Sequence, residues 1–433
     1  MSCLPTFTSI FRNERTQLLD RRVKYWHSGG HFYSCPLFFV QKALIFAKKV
    51  NYMNIDERIA NTHFPLPAIR EVNQSKHSTG ISLGLGELKN FEVDDQIYSA
   101  MCNSWKNGGA AYTQNAGLPQ LRMAVAQRQQ EQDGHIYDEE NVVITVGVQN
   151  AIYTSIKTLK KLGAKRILIP SIHFGIYKKI PAEFDLEVHC YPLSDDFSID
   201  TVGLEAMLLP DDIVIINSPS NPTGIVFSND HLEELGALFR KKLSNGYVIA
   251  DEIYGALVYD GAPFTSFSKY FDRTIVADGI SKSGAVAGLR VGWLITRNKQ
   301  LAKAFTSNNA SVISAPPTVN QYAAIPVVEG KTQNTISRYN SILKANRDEV
   351  VQLLEELNIP YNLPRGSFYI FPKLDQIVGT STKSFCMDTA SKENGVVVIP
   401  GIAFGAKEYI RISLATNQMK EALIRLKKSI LNY

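Results

Sequence analysis

The chain has 433 residues, 45% apolar and 20% charged, with a net charge of +5, which is ordinary globular composition with enough chain for a large α/β domain and a smaller one. No apolar run reaches the roughly 18 residues of a membrane span; the longest, 35–40 and 43–47, are split by Gln41-Lys42. Residues 1–52 hold eight Lys/Arg against two acids, so the remainder is close to neutral and the basic balance marks no nucleic-acid surface.

Five scattered cysteines, at 3, 35, 102, 190 and 386, form no C-x-x-C pair. That usage points to a reducing compartment, the cytoplasm, and away from a disulfide framework. The histidines make no H-E-x-x-H and do not cluster with cysteines, so no metal site is expected.

Residues 1–52 are basic, acid-poor and aromatic-rich, without a clear period. Three readings stand: an organellar transit peptide, a folded accessory segment, or a stretch ahead of the working protein with Met53 as its start. The last is favoured. The stretch also lacks a secretory pattern of basic head, single apolar run and small-residue cleavage site.

From 141 to 296 apolar, β-branched runs recur at 142–147, 166–170, 187–193, 213–218, 247–251, 274–279 and 292–296. Helical patterns lie between most of them, as at 150–162 and 231–243. This alternation predicts an α/β fold with a buried, mostly parallel seven-stranded sheet between helices. The gap before 292–296 is short for a crossover helix, so that strand is expected to run antiparallel. After 330 a long helix at 335–357, strands at 367–374, 396–401 and 409–415, and a final helix at 418–430 read as α+β. The expected organisation is an extension 1–52, a large domain 98–325, and a small domain built from 53–97 and 326–433.

Ligands of open parallel sheets bind beyond the carboxyl ends of the strands. Polar residues follow five of the runs there: Gly147-Val148-Gln149, the segment 170–177, the segment 217–224, Asp251 to Tyr254, and Ser281-Lys282. Each has an ordinary reading. SPSNPTG at 218–224 has turn composition, Asp251 suits a helix N-cap, and an isolated lysine usually sits on the surface. Yet Asp251 ends the apolar run YVIAD, and a half-buried carboxylate needs a partner. Lys282 lies in SKSGAVAG, whose small residues leave room around it, and Arg290 carries the planar fork that suits a phosphate.

Taken together, the segments 110–126, 142–152, 218–224, 250–255, 281–293, 366–373 and 409–426 resemble, in order and spacing, the class I/II aminotransferases. These are the pyridoxal 5′-phosphate (PLP) enzymes of fold type I, and the likeness is to their aspartate-aminotransferase-like branch, over roughly 53–433. The resemblance implies a large mixed sheet, a small domain made from both chain ends, a homodimer, and PLP as cofactor. It implies transfer of an amino group between an L-amino acid and a 2-oxo acid.

Residue by residue, it makes Lys282 the lysine that holds PLP covalently and later moves the substrate's α-proton. Asp251 becomes the acid paired with the pyridine nitrogen, and Tyr254 and Asn221 the partners of the ring's 3-hydroxyl. Phe174 falls where an aromatic stacks on the ring, with Ile172 and His173 one or two places away. Arg290, Ser281, and the helix start at Val148 and Gln149 take the phosphate, with Tyr112 reaching it across the dimer. Arg411 clamps the substrate's α-carboxylate, and Gly86 faces it.

Two departures stand out. Gly279 replaces a frequent serine of the phosphate site, and Gly86-Glu87-Leu88 replaces Gly-Glu-Pro. No cation for a second substrate carboxylate is visible. The same scaffold also runs elimination and oxidation, so a PLP-dependent lyase or oxidase is the alternative enzyme. A non-enzymatic amino-acid sensor would want a helix-turn-helix ahead of the fold, and a nicotinamide dehydrogenase would want G-x-G-x-x-G where GVQNAI stands.

Overall fold

The computed structural model describes residues 67–433, apart from 107, 263, 380 and 381, together with Asp56. The extension 1–52, and all of 53–66 except Asp56, lie outside the described residues.

A short strand, β1 (Ile81–Ser82), precedes the seven of the central sheet: β2 (Val142–Thr145), β3 (Arg166–Pro170), β4 (Glu187–Tyr191), β5 (Ile213–Asn217), β6 (Tyr247–Asp251), β7 (Thr274–Gly279) and β8 (Gly292–Thr296). Four short strands follow: β9 (Tyr369–Ile370), β10 (Val396–Val397), β11 (Ile399–Pro400) and β12 (Ile410–Ser413). The central order is β2-β8-β7-β6-β5-β3-β4. β8 is antiparallel to both of its neighbours, and the other pairs are parallel. The reversal follows from connection length: only the Ile280–Ser283 helix and an Ala287–Leu289 turn separate β7 from β8.

The strands are apolar on both faces because helices cover both. Val143, Ile167, Ile169, Ile215, Ile249 and Ile275 pack into one cluster, while Leu168, Val214, Ile216 and Val248 pack into another. Edge strand β4 departs from this, with Glu187 and Cys190 exposed. The Val148–Lys161 and Asn229–Lys242 helices end in lysines, which complement the negative end of the helix dipole.

The C-terminal part holds an antiparallel sheet in the order β11-β12-β9, and β1 pairs in parallel with β10. The Gln333–Glu356 and Met419–Leu431 helices belong to the same part of the chain. Its strands are shorter than their apolar runs. Pro372 follows β9 and Pro400 ends β11, and proline has no N–H for the ladder.

Register places the site. Asn217 pairs with Asp251 and Asp251 with Ala277, while Gly292 pairs with both Gly279 and Thr145. The carboxyl ends of β2, β5, β6 and β7 therefore lie along one edge.

Candidate active site

A cavity of about 290 Å³ opens at that edge. Its floor is built on Asp251, the last residue of β6, which is buried. Asp251 caps no helix. Its Oδ2 accepts from the Tyr177 hydroxyl at 2.6 Å and its Oδ1 from the Ile253 N–H at 3.3 Å. Burial pushes its carboxyl up to about 6, and the Tyr177 hydrogen bond works against that rise. Asn217, level with it on β5, donates to the Asp251 carbonyl at 2.9 Å and accepts from the Asn221 N–H at 2.8 Å. One asparagine thus fixes both the acid's backbone and the loop after β5, where Ser218–Pro219 and Asn221–Pro222 are cis.

Lys282 rises from the short Ile280–Ser283 helix after β7 and is half-buried. Its ammonium donates to the Gly86 carbonyl and lies 5.6 Å from the centre of the Phe368 ring and 5.9 Å from that of Tyr254. Burial, then the positive Arg411 and Arg290, pull its amine down to about 8. The side chain carries no ion pair among the described residues.

At one end of the cavity stands the N-terminus of the Val148–Lys161 helix, whose first N–H groups have no partner within the helix. Arg290 lies beside it. Gly147, at φ +77°, adopts a conformation that side-chain-bearing residues rarely take, and Arg290 Nη2 lies 2.6 Å from where a Cβ would stand. Free N–H groups beside a guanidinium form an anion site. Gly279 is explained by packing: a Cβ would meet the Val291 carbonyl oxygen at 2.6 Å and Gly292 Cα at 2.9 Å. A serine does not fit where β7 and β8 approach this closely.

At the other end Arg411, on β12, is 2% exposed. It donates to Asn221 Oδ1 at 2.9 Å and to the Gly84 carbonyl at 2.8 Å. Its Nε makes no hydrogen bond, and no carboxylate among the described residues pairs with it. Burial lowers its pKa, since the charge has lost water without gaining a counter-ion. The site therefore offers an amine, a buried acid, an anion cradle and an unpaired guanidinium around one space.

Gly86, Val148, Gln149, Phe174, Asn221, Asp251, Tyr254, Ser281, Lys282, Arg290 and Arg411 all line the cavity. Phe174 faces it, whereas His173 is buried with Nδ1 2.9 Å from the Pro170 carbonyl oxygen. Tyr112 does not line it and is 91% exposed. Tyr177 and Asn217, inside the segments 170–177 and 217–224, and Tyr369, inside 366–373, have no individual role in the sequence reading and also line it. Asn217 had a signal, since it ends an apolar strand run as Asp251 does. Tyr369 sits inside a run that reads only as a strand.

Comparison with known proteins places the chain in a family. The sequence profile of the family described as "Aminotransferase class I and II" matches residues 78–426. A probable aspartate/prephenate aminotransferase of Rickettsia bellii is 30% identical over 369 residues, 81% of this chain and 91% of the relative. Aromatic-amino-acid aminotransferase 2 of Thermococcus litoralis is 32% identical over 363 residues, 80% of this chain and 91% of the relative. Among solved structures, the aspartate aminotransferase of Thermotoga maritima superposes with a TM-score of 0.77 at 28% identity, covering 85% of this chain and 98% of that one. The aromatic aminotransferase of Pyrococcus horikoshii gives 0.76 at 28% identity, over 84% and 99%. A single cavity walled from five strand ends, together with a profile spanning most of the chain, leads to one conclusion: this protein belongs to the aminotransferase class I and II family.

Proposed function

We propose that the chain transfers an amino group between an L-amino acid and a 2-oxo acid with PLP as cofactor, at the cavity described above. One observation carries the reading: a desolvated lysine amine stands between a buried carboxylate and a buried guanidinium that lacks a counter-ion.

The residues present fit PLP. The cradle at Gly147 and Arg290 suits a phosphate, Asp251 suits a protonated ring nitrogen, Tyr254 and Asn221 suit a ring hydroxyl, and Lys282 suits an aldehyde. When bound, PLP supplies a carbonyl carbon for the donor's nitrogen and a ring that accepts electrons.

The chain's own residues do the rest. Asp251, kept anionic near neutrality by the Tyr177 hydroxyl and the Ile253 N–H, holds a proton on the pyridine nitrogen. Arg411 has an unused Nε in a dry setting and orients the α-carboxylate. Once the donor's amine has taken its place on the cofactor, the freed Lys282 Nζ would take the substrate's Cα proton as general base, leaving the electron pair to the ring. With its pKa drawn down to about 8, the amine is available for this near neutral pH. The donor leaves as a 2-oxo acid, and an acceptor 2-oxo acid receives the amino group by the reverse order of steps.

We extend the reading to a homodimer. Tyr112, Tyr98 and Trp105 are 91, 67 and 63% exposed on neighbouring stretches, an apolar display that a second copy would cover. A cytoplasmic setting is supported by free cysteines at 102, 190 and 386. The purified chain incubated with PLP should gain visible absorbance, and borohydride followed by peptide mapping should place the label on Lys282. Lys282→Ala should show neither band nor turnover; normal turnover by that variant would sink the assignment.

A further inference from the structure

Tyr369 stands where the cofactor end and the substrate end of the cavity meet. It lies on β9 and is 1% exposed. Its hydroxyl oxygen is 3.3 Å from that of Tyr254, and its ring centre is 4.2 Å from Arg411 Cζ. Gly86 closes on the same hydroxyl: a Cβ there would lie 2.7 Å from Tyr369 Oη. The Gly86 carbonyl in turn accepts from Lys282. One side chain thus touches Tyr254, Arg411 and the segment that holds the lysine.

We propose that Tyr369 is a positioning residue, its hydroxyl fixing Tyr254 as a donor toward the cofactor's ring oxygen and its ring setting Arg411 for the substrate carboxylate. The inference rests on the functional reading above. A phenol has a single proton to give. Once Tyr254 directs its proton at the cofactor, the proton in the Tyr254–Tyr369 pair comes from Tyr369. Such a chain polarises the middle hydroxyl and makes it a stronger donor in a dry site. A stronger donor favours the deprotonated form of the lysine-bound cofactor and lowers the pH at which its visible band changes.

The ring acts separately. Arg411 has aromatic faces beside it, Tyr369 at 4.2 Å and Phe404 at 4.7 Å, where a counter-ion would otherwise sit. These faces stabilise the buried charge while its edge stays open to a carboxylate. A Tyr that only filled the core would give neither effect.

Two variants separate the arms. Tyr369→Phe keeps the ring and removes the hydroxyl; Tyr369→Leu removes both. The full chain is loaded with PLP and its visible band is titrated without amino acid. KM and kcat are then measured with 2-oxoglutarate and whichever of L-aspartate, L-phenylalanine and L-alanine the wild type converts fastest. The Phe variant should raise the band's midpoint by about half a pH unit or more, with KM within about twofold of wild type. The Leu variant should raise the midpoint too and increase KM about tenfold. In a Tyr254→Phe background, Tyr369→Phe should add no further shift. A Phe variant titrating within about 0.2 unit of wild type overturns the proposal, as does a shift that persists in full without the Tyr254 hydroxyl. If the Leu variant does not fold, the Phe arm decides alone. A wild-type chain that develops no band overturns the functional reading and this proposal together, whereas a normal band with an unmoved Phe variant overturns this proposal alone.

Discussion

Burial acts on Asp251 and Lys282 in opposite senses, and the difference sets a pH window. Desolvation raises the acid to about 6 and lowers the amine to about 8, because in each case the charged form loses water. Between those values the acid is ionised while the amine begins to lose its proton. Only the neutral amine attacks an aldehyde. The rate of PLP capture by the cofactor-free chain should therefore climb with pH and level off above about 8. An ordinary lysine, near 10.4, would keep climbing well beyond that point. Stopped-flow absorbance between pH 6 and 10 reads it directly. The expected profile rises about tenfold per unit on its lower limb and bends near 8. A profile still rising at full slope above about pH 9.5 would show that Lys282 is not held as described.

At the scale of elements, the sheet is largely legible in the sequence and its fine contacts are not. Apolar runs such as RILIP and YVIAD coincide with β3 and β6, because strands buried on both faces leave a continuous apolar signature. Short spacing exposed the reversal of β8. What stays hidden depends on residues far apart in the chain: Tyr177 reaches Asp251 across 74 positions, and Tyr369 reaches Tyr254 across 115. No local period encodes such pairings. The small residues around Lys282 also had a second cause. Gly279 and Gly292 face each other across β7 and β8, and a Cβ on Gly284 would sit tightly, 3.0 Å from Val286 Cγ2 and 3.1 Å from the Ile280 carbonyl oxygen. Part of the smallness is packing rather than clearance for a ligand. Gly279→Ser, which places the serine that the family resemblance leads one to expect, should therefore not add a phosphate contact here. It should force β7 from β8 and cost about 1–3 kcal/mol, read as a lower melting temperature and weaker PLP retention. A serine variant that melts at the wild-type temperature and holds PLP more tightly would show that the strands part freely.

At the scale of the whole molecule, a polar cluster behind the cavity floor ties distant stretches of chain together and should make stability depend on pH. Glu252, next to Asp251, is buried with Oε1 accepting from the Phe267 N–H at 2.8 Å and the Ser266 hydroxyl at 3.1 Å. Gln129 donates to Ser266 and Ser268 at 2.9 Å each, and Asp133 accepts from Tyr137 at 2.7 Å. Asp278 completes the group, with Arg128 3.6 Å away. Of these three carboxylates only Asp278 has Arg128 beside it, while Arg297 donates to the Ser268 carbonyl at the rim of the same group. Burial, with Asp278 and Asp133 adding repulsion, pushes Glu252 up to about 8, and burial raises Asp278 to about 6. The folded chain keeps a proton on Glu252 that the unfolded chain gives up from about 4.5 upward. Its favourable contribution is complete below that value and is lost progressively as pH rises to about 8. At one pKa unit per 1.36 kcal/mol the loss reaches at most about 5 kcal/mol. Glutamine keeps the shape and hydrogen bonds of the protonated acid but cannot ionise. Glu252→Gln should therefore match the wild type near pH 5 and melt several degrees higher near pH 8, flattening the curve between them. Circular-dichroism melts of both chains across that range, with PLP absent, carry the test, and parallel curves would mean that Glu252 is already ionised in the folded protein at neutral pH.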